Sequence, residues 1–216
     1  MARHDRDNCL LRLWAHTRLR RSCLVKLTYR EDNTGMLRWR SDGGAVLVIP
    51  QEIFKNYGSS ALPANGEAVE IPIIPAQKAL LRALRRWLVG EGHSRSLLCT
   101  DKDNAFLFPG LGTGGLTPAS VHRICMAFST LYLVDLPWRP GGVTGVMPFG
   151  SHAMRDLTCT HMIKATGQLK DAADAVLDTE TTMKKAYARI TSSEKTLRAS
   201  EIIRLSLPAD IDDEEG

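Results

Sequence analysis

The chain has 216 residues, 44% of them hydrophobic, and a formal net charge of +4 at pH 7. This length and hydrophobic content suit one globular domain with a buried core. No apolar run approaches the roughly 18 to 20 residues that span a bilayer, and the arginine-rich start lacks the apolar core of a secretory signal, so we expect a soluble intracellular protein. The five cysteines are widely spaced without a C-x-x-C pair, which argues against a disulfide framework or a zinc site.

Charge is unevenly distributed along the chain. Residues 1–30 carry eight arginines and lysines against two aspartates, whereas residues 210–215 contain five acidic side chains. The basic segment can neutralise phosphates and the acidic one would repel them, so nucleic acid is a candidate partner for the first part of the chain.

The first half of the sequence predicts a helix followed by a small antiparallel sheet. Residues 9–28 mix apolar and basic side chains at helical spacing, which indicates an amphipathic helix. The β-branched run Ala45–Pro50 predicts a strand, Gln51–Lys55 is expected to pair beside it, and Ala68–Ile74 predicts another strand.

The second half is predicted to be helical. Leu80, Leu84 and Trp87 recur on one face of a helix, and Thr117 and Pro118 are a typical N-cap and first residue of the next one. Further along we expect a Pro/Gly-rich loop at 137–150, helices at 152–165, 169–177, 181–189 and 194–205, and a disordered acidic tail at 207–216. The expected fold class is therefore α+β, mainly α, in one domain with a small antiparallel sheet.

Four separated segments carry side chains suited to phosphodiester chemistry. They are R-E-D-N-T-G-M-L-R-W from Arg30, I-P-Q-E-I-F-K ending at Lys55, H-A-M-R from His152 to Arg155, and T-M-K-K-A-Y-A-R around Tyr187. Their order and spacing resemble those of the tyrosine recombinases, the phage-integrase family. In that family an arginine precedes an L-R-W segment, a lysine follows on a β-hairpin, and the nucleophilic tyrosine lies about thirty-two residues after the H-x-x-R arginine, which is the offset from Arg155 to Tyr187 here.

The resemblance covers about residues 20–190 and implies the tyrosine recombinase catalytic-domain fold. We expect this domain to occupy residues 1–206, with residues 1–20 as a basic lead-in. Family members generally carry a helical core-binding domain upstream, which we expect to be absent here because only about thirty residues precede Arg30.

The chemistry explains why the family needs these residue types. Attack on a phosphodiester concentrates negative charge on its non-bridging oxygens, which two guanidiniums can bind with fixed geometry; the resemblance assigns this role to Arg30 and Arg155. It makes Tyr187 the nucleophile of a 3′-phosphotyrosyl bond, His152 the candidate base and Lys55 the general acid for the leaving 5′-oxygen. No metal and no nucleotide cofactor is expected, because the arginines supply the positive charge and the phosphotyrosyl bond stores the energy for rejoining.

Asp178 departs from the family pattern. The family usually has His or Trp nine residues before the tyrosine, within an L-G-H segment, and this chain reads Val176-Leu177-Asp178 there. An ionised carboxylate cannot donate a hydrogen bond to a phosphate oxygen. We therefore place Asp178 in the candidate catalytic site, without the phosphate contact that the usual His or Trp makes in the family.

The function implied is site-specific DNA recombination by a homo-oligomer, a tetramer on paired double-stranded DNA sites, with no membrane and no nucleotide involved. We expect the protein in the cytoplasm, on the nucleoid, if it is prokaryotic or viral, and in the nucleus if it is eukaryotic. Two alternatives stay open. One is a DNA-binding relative with weak or no catalysis, and the other is a type IB topoisomerase-like enzyme that relaxes supercoils without pairing two sites.

Two further patterns are interpreted as structural. Gly110–Gly115 matches G-x-G-x-x-G, but a dinucleotide site needs alternating strands and helices, which the first half of the chain lacks, so we interpret the segment as a flexible loop. His161 has no Cys or Glu partner at ligand spacing and is interpreted as a surface or packing histidine, not a metal ligand.

Overall fold

The computed structural model describes residues 1–55, 62–63, 66–90, 92–99, 101, 103–110, 114–132 and 153–184. The helices in these ranges are α1 (Ala2–Thr17), α2 (Arg21–Leu24), α3 (Lys78–Leu88), α4 (Ser94–Leu98), α5 (Pro118–Tyr132), α6 (Ala153–Thr166) and α7 (Leu169–Ala175), and the strands are β1 (Leu37–Trp39), β2 (Ala45–Ile49) and β3 (Val69–Ile73). The predicted mainly helical α+β class with a small antiparallel sheet is confirmed. None of the described helices has the length and apolar character needed to cross a bilayer.

The helix predicted over residues 9–28 is wrong, because the chain breaks into two helices there. α1 ends at Thr17, and Arg18 adopts the left-handed conformation with φ 56° while its N–H donates to the Trp14 carbonyl at 2.7 Å. A left-handed residue of this kind ends a helix and redirects the chain, and α2 starts three residues later at Arg21. Glycine or asparagine usually occupies such a left-handed position, so the arginine at position 18 did not indicate from the sequence that the helix ends there.

The sheet is antiparallel with β2 in the centre. Leu37 of β1 lies opposite Leu47 of β2, and Ile49 at the end of β2 lies opposite Val69 of β3. These four side chains are buried and belong to the main hydrophobic core. The strand β1 was not predicted, because three residues are too few to show alternation.

Residues 51–55 do not pair as the predicted strand. Gln51–Ile53 forms a 3-10 helix instead. The buried Gln51 amide donates to the carbonyls of Pro63 and Glu67, at 2.8 and 2.7 Å, so this segment satisfies its polar groups against the following loop and not in the sheet. As a result Lys55 follows a helical turn, not a hairpin strand.

The main core lies between α1, the sheet, α3 and α5. Trp14 and Trp87 are fully buried in it, and the Trp87 indole N–H donates to the Leu107 carbonyl at 2.9 Å. A second apolar cluster joins α6, α7 and the chain that follows, and its buried members are Cys159, Ile163, Ala172, Ala173, Val176 and Met183.

The helices predicted in the second half agree with the structure wherever it is described. Thr117 caps α5, because its hydroxyl accepts a hydrogen bond from the Ser120 N–H at 3.1 Å. α6 and α7 match the helices predicted at 152–165 and 169–177 to within two residues at each end. The helix predicted at 181–189 is described only to residue 184, and the segments predicted at 137–150, 194–205 and 207–216 lie outside the described residues.

The glycine-rich segment is a turn at its described ends. The Gly110 N–H donates to the Gly114 carbonyl at 2.8 Å, and Pro109 forms an isolated bridge with Gly115. A Cβ on Gly110 would lie 2.6 Å from the Gly115 carbonyl oxygen, so this close approach of the backbone accounts for the glycine. The sheet that precedes the turn is antiparallel, unlike the sheet of a dinucleotide-binding fold.

Cys125 should make stability depend on pH. It is fully buried in α5, and burial raises the pKa of its thiol from 9.0 to about 12. The unfolded chain then loses this proton at lower pH than the folded chain does. The stability that the protonated thiol contributes is therefore intact below about pH 9 and is lost as pH rises towards 12. We expect the free energy of unfolding in urea to fall above pH 9 by up to about 1.4 kcal/mol per pH unit for this thiol.

The Cys125→Ala variant tests this expectation, with urea unfolding measured between pH 8 and pH 10. Its pH slope should be shallower than that of the unmodified chain. Part of the slope should remain, because burial also raises the pKa of Cys9. An unchanged slope in the variant would show that this thiol is not its source.

Candidate functional site

Arg155 lies near the start of α6, and its guanidinium is buried. The residue is only 7% exposed; one of its terminal nitrogens donates to the Arg18 carbonyl at 2.8 Å and the other to the Asp178 carboxylate at 3.0 Å. A buried charge is tolerated when it is paired and hydrogen-bonded in this way. The left-handed turn after α1 thus supplies one of the acceptors that hold Arg155.

Arg20 completes a three-residue cluster. It is the N-cap residue of α2, and its guanidinium donates to the same Asp178 oxygen, Oδ2, at 2.6 Å. Its side chain is 24% exposed, so the cluster reaches the surface on this side. Two guanidiniums from distant parts of the chain therefore converge on one anionic oxygen. We call Arg20, Arg155 and Asp178 the arginine–aspartate cluster.

The turn at the end of α7 fixes Asp178. Leu177 is left-handed with φ 52°, and the N–H groups of Asp178 and Leu177 donate to the carbonyls of Ala173 and Asp174 at 3.0 and 3.2 Å. This pair of hydrogen bonds is the Schellman motif, in which glycine usually holds the left-handed position. The other carboxylate oxygen of Asp178 accepts the Thr179 N–H at 3.0 Å. Within the described residues the carboxylate thus has three donors, and it is almost fully buried.

The electrostatics of the cluster depend on the carboxylate. Burial lowers the pKa of Arg155, and the neighbouring charge of Arg20 lowers it further, whereas Asp178 raises it. Two guanidiniums this close repel each other unless an anion lies between them. Asp178 supplies that anion, so the two side chains can share one buried position.

Cys23 connects the cluster to Lys55. Its buried thiol donates to the Ile53 carbonyl at 3.5 Å. Burial raises the pKa of Cys23, while the charges of Arg20 and Arg155 and a backbone hydrogen bond from Lys55 lower it. The backbone at Lys55 therefore lies next to Cys23 of α2, and the Lys55 side chain is exposed.

The six site residues predicted from the sequence do not all lie together in the described part of the structure. Arg155 and Asp178 are in direct contact, and the backbone at Lys55 lies next to Cys23 of α2. Arg30 lies on an exposed turn, and no described contact joins it to Arg155 or Asp178. On that turn, hydrogen bonds from Thr34 and the nearby charge of Arg30 lower the pKa of Asp32. His152 and Tyr187 lie outside the described residues.

Sequence reasoning missed Arg20. The signal that points to it is the run of basic residues directly after Thr17, where α1 ends and α2 begins. Within the described residues no group of three or more His, Cys, Asp or Glu side chains is placed to hold a metal ion.

Comparison with solved structures shows a recombinase-like fold. The chain matches the XerH site-specific recombinase bound to a palindromic difH substrate in a post-cleavage complex, with a TM-score of 0.59 and 14% identity over 92% of this chain and 46% of that chain. It also matches XerH bound to difH in a pre-cleavage complex, with a TM-score of 0.58 and 14% identity over 89% of this chain and 45% of that one. The chain thus spans less than half of the recombinase chains it matches, and at this identity the likeness establishes the fold. No protein-family model and no curated protein sequence matches the chain.

Proposed function

We propose that this domain cuts and rejoins double-stranded DNA as a site-specific recombinase of the tyrosine class. The observation that supports the proposal is the convergence of two buried or half-buried guanidiniums, Arg20 and Arg155, on a single anionic oxygen. In the transition state of phosphoryl transfer, non-bridging oxygens need this kind of fixed, permanently charged donor. The recombinase-like fold supplies the context for such a site.

Each residue then has a chemical role in the proposal. The Tyr187 oxygen forms a bond to phosphorus as the bond from phosphorus to the 5′-oxygen breaks, and the DNA 3′-phosphate stays on the protein. His152 accepts the phenol proton and Lys55 gives a proton to the leaving 5′-oxygen. Arg155 binds a non-bridging oxygen as the sequence predicts, and Arg20 takes the partner role that the sequence assigns to Arg30.

The proposed partner is duplex DNA, in a homo-oligomer that pairs two DNA sites. The matched XerH structures are complexes with difH substrate, which supports DNA as the partner. Strand exchange needs two duplexes with two cleavages each, which corresponds to four protomers. The proposal places the protein with the DNA, on the nucleoid or in a nucleus, and needs no metal or nucleotide for the roles above.

A covalent adduct assay tests this function. The protein is incubated with a pool of randomised duplexes that carry a nick, so that the short strand beyond the cleaved bond diffuses away and the adduct accumulates. DNA that stays on the protein after denaturation should appear with the unmodified chain and disappear in Tyr187→Phe. Tyr29→Phe is the matched control, because Tyr29 is a buried tyrosine of the main core and its loss should leave the adduct in place. Equal retention in the unmodified chain and in Tyr187→Phe would refute the proposal.

One observation favours a second candidate, a DNA-binding protein without cleavage activity. The Asp178 carboxylate occupies donors of both guanidiniums that the reaction requires and offsets one of their two positive charges. If this pairing is permanent, the protein binds duplex DNA in a gel-shift assay, and no tyrosine gives an adduct. The same adduct assay separates the two candidates.

A further inference from the structure

Asp178 occupies the place that an oxyanion would take between the two arginines. Its Oδ2 atom receives one hydrogen bond from each guanidinium, at 2.6 and 3.0 Å. A carboxylate oxygen and a non-bridging phosphate oxygen accept the same charge-assisted hydrogen bonds from arginine. The donors that converge on this point therefore serve one of the two anions at a time.

We propose that Asp178 is an internal competitor for phosphate, which keeps the arginine pair closed until a phosphate group displaces it. The expectation that the displacing group is a DNA phosphodiester rests on the proposed function. The competition itself concerns the arginine–aspartate cluster and does not depend on DNA as the source of the phosphate.

The position of Asp178 in the fold fits a displaceable anion. The residue is held by a single turn at the end of α7, in which Leu177 adopts a left-handed conformation that is unfavourable for a leucine. Arg155, in contrast, keeps a second acceptor in the Arg18 carbonyl and stays in place without the carboxylate. Opening therefore requires movement of one turn, while Arg155 remains positioned to bind the incoming oxygen.

Binding of inorganic phosphate tests the competition without DNA. In Asp178→Asn the side chain keeps its shape but loses its charge, so the arginine pair should prefer an external anion. Calorimetric titration with phosphate should show an affinity at least ~10-fold higher for Asp178→Asn than for the unmodified chain. This ratio is expected if Asp178 leaves the arginine pair accessible in about a tenth or less of the unmodified molecules. The gain should disappear in the double variant Asp178→Asn/Arg20→Gln. Equal affinity in the unmodified chain and a folded Asp178→Asn would overturn the proposal.

Asp5→Asn is the matched control. Asp5 is also a buried carboxylate, paired with Arg86 at 2.9 Å and hydrogen-bonded to the Ser94 hydroxyl at 2.5 Å, but it belongs to a different part of the fold. Its loss should leave phosphate affinity unchanged. A gain of similar size in Asp5→Asn would show that removal of any buried carboxylate has this effect, and the competition proposal would fail.

Phosphate also decides the case in which Asp178→Asn does not fold. If an external anion can replace the carboxylate, inorganic phosphate should restore the far-ultraviolet circular dichroism spectrum of the variant, and chloride at the same ionic strength should not. Absence of any rescue by phosphate would indicate a purely structural ion pair and would contradict the proposal.

The adduct assay separates this inference from the proposed function. If both are right, Asp178→Asn forms more adduct than the unmodified chain does. A gain in phosphate affinity with no adduct in either protein would support the competition and overturn the recombinase proposal. An adduct with the unmodified chain, together with unchanged phosphate affinity in the variant, would support the recombinase proposal and overturn the competition.

Discussion

Replacement of Arg20 by Ala should lower adduct formation on nicked DNA by about 100- to 1,000-fold, because loss of one donor to a developing oxyanion has an effect of this size. The same replacement of Arg30 should change adduct formation little. Arg20 donates to the oxygen that Arg155 also binds, whereas Arg30 lies on an exposed turn. The measurement is the rate of adduct accumulation for each variant under single-turnover conditions.

Arg20→Lys and thermal unfolding serve as controls for this prediction. Lysine keeps the charge but not the planar fork of donors, so Arg20→Lys should fall between the unmodified chain and Arg20→Ala. Melting temperatures show how much of any loss comes from weaker folding, since Arg20 also pairs with Asp178. A large loss in Arg30→Ala with normal activity in Arg20→Ala would restore the assignment made from the sequence.

Trp14→Ala should lower the free energy of unfolding by about 3–5 kcal/mol, the range observed when a large buried aromatic side chain is truncated. Trp14 is fully buried in α1, and its indole N–H donates to the Leu19 carbonyl at 2.6 Å. Since a domain of this kind has a total stability of about 5–15 kcal/mol, the variant should be partly unfolded at moderate temperature. Urea unfolding followed by circular dichroism measures the change.

Trp14→Phe separates packing from the hydrogen bond. Phenylalanine keeps part of the aromatic volume but cannot donate to the Leu19 carbonyl, which lies directly before Arg20. We expect this variant to be less destabilised than Trp14→Ala and still to form less adduct, because the segment that positions Arg20 loses its anchor. Normal adduct formation in a stably folded Trp14→Phe would show that this hydrogen bond does not position the site.

The elements that the sequence predicted most directly are those with a clear hydrophobic pattern. The helices α3 and α5 place several apolar residues at helical spacing, and the central strand β2 is an apolar run in which three of the five residues are β-branched. The elements that were missed are short or depend on backbone conformation. β1 has three residues, α4 has five, and the break between α1 and α2 depends on a left-handed arginine.

The same distinction holds for the candidate site. Arg155 and Asp178 were selected because they stand at recognisable offsets from each other and from Tyr187, and the structure brings these two into contact. Arg20 was missed because its partner is 158 residues further along the chain, and no local pattern reports such a contact. Arg30 was selected because Trp39 of the L-R-W segment follows it by nine residues; it is exposed in the structure, and its role in the site stays a prediction.

Two of the left-handed non-glycine residues that the structure describes, Arg18 and Leu177, determine which substitutions this site can tolerate. One presents its carbonyl to Arg155, and the other precedes the carboxylate that joins both guanidiniums. The relative positions of the three charged side chains thus depend on two backbone φ angles outside the sheet and the regular helices. Valine or isoleucine at either position would shift φ back to negative values and so separate the charges that now meet.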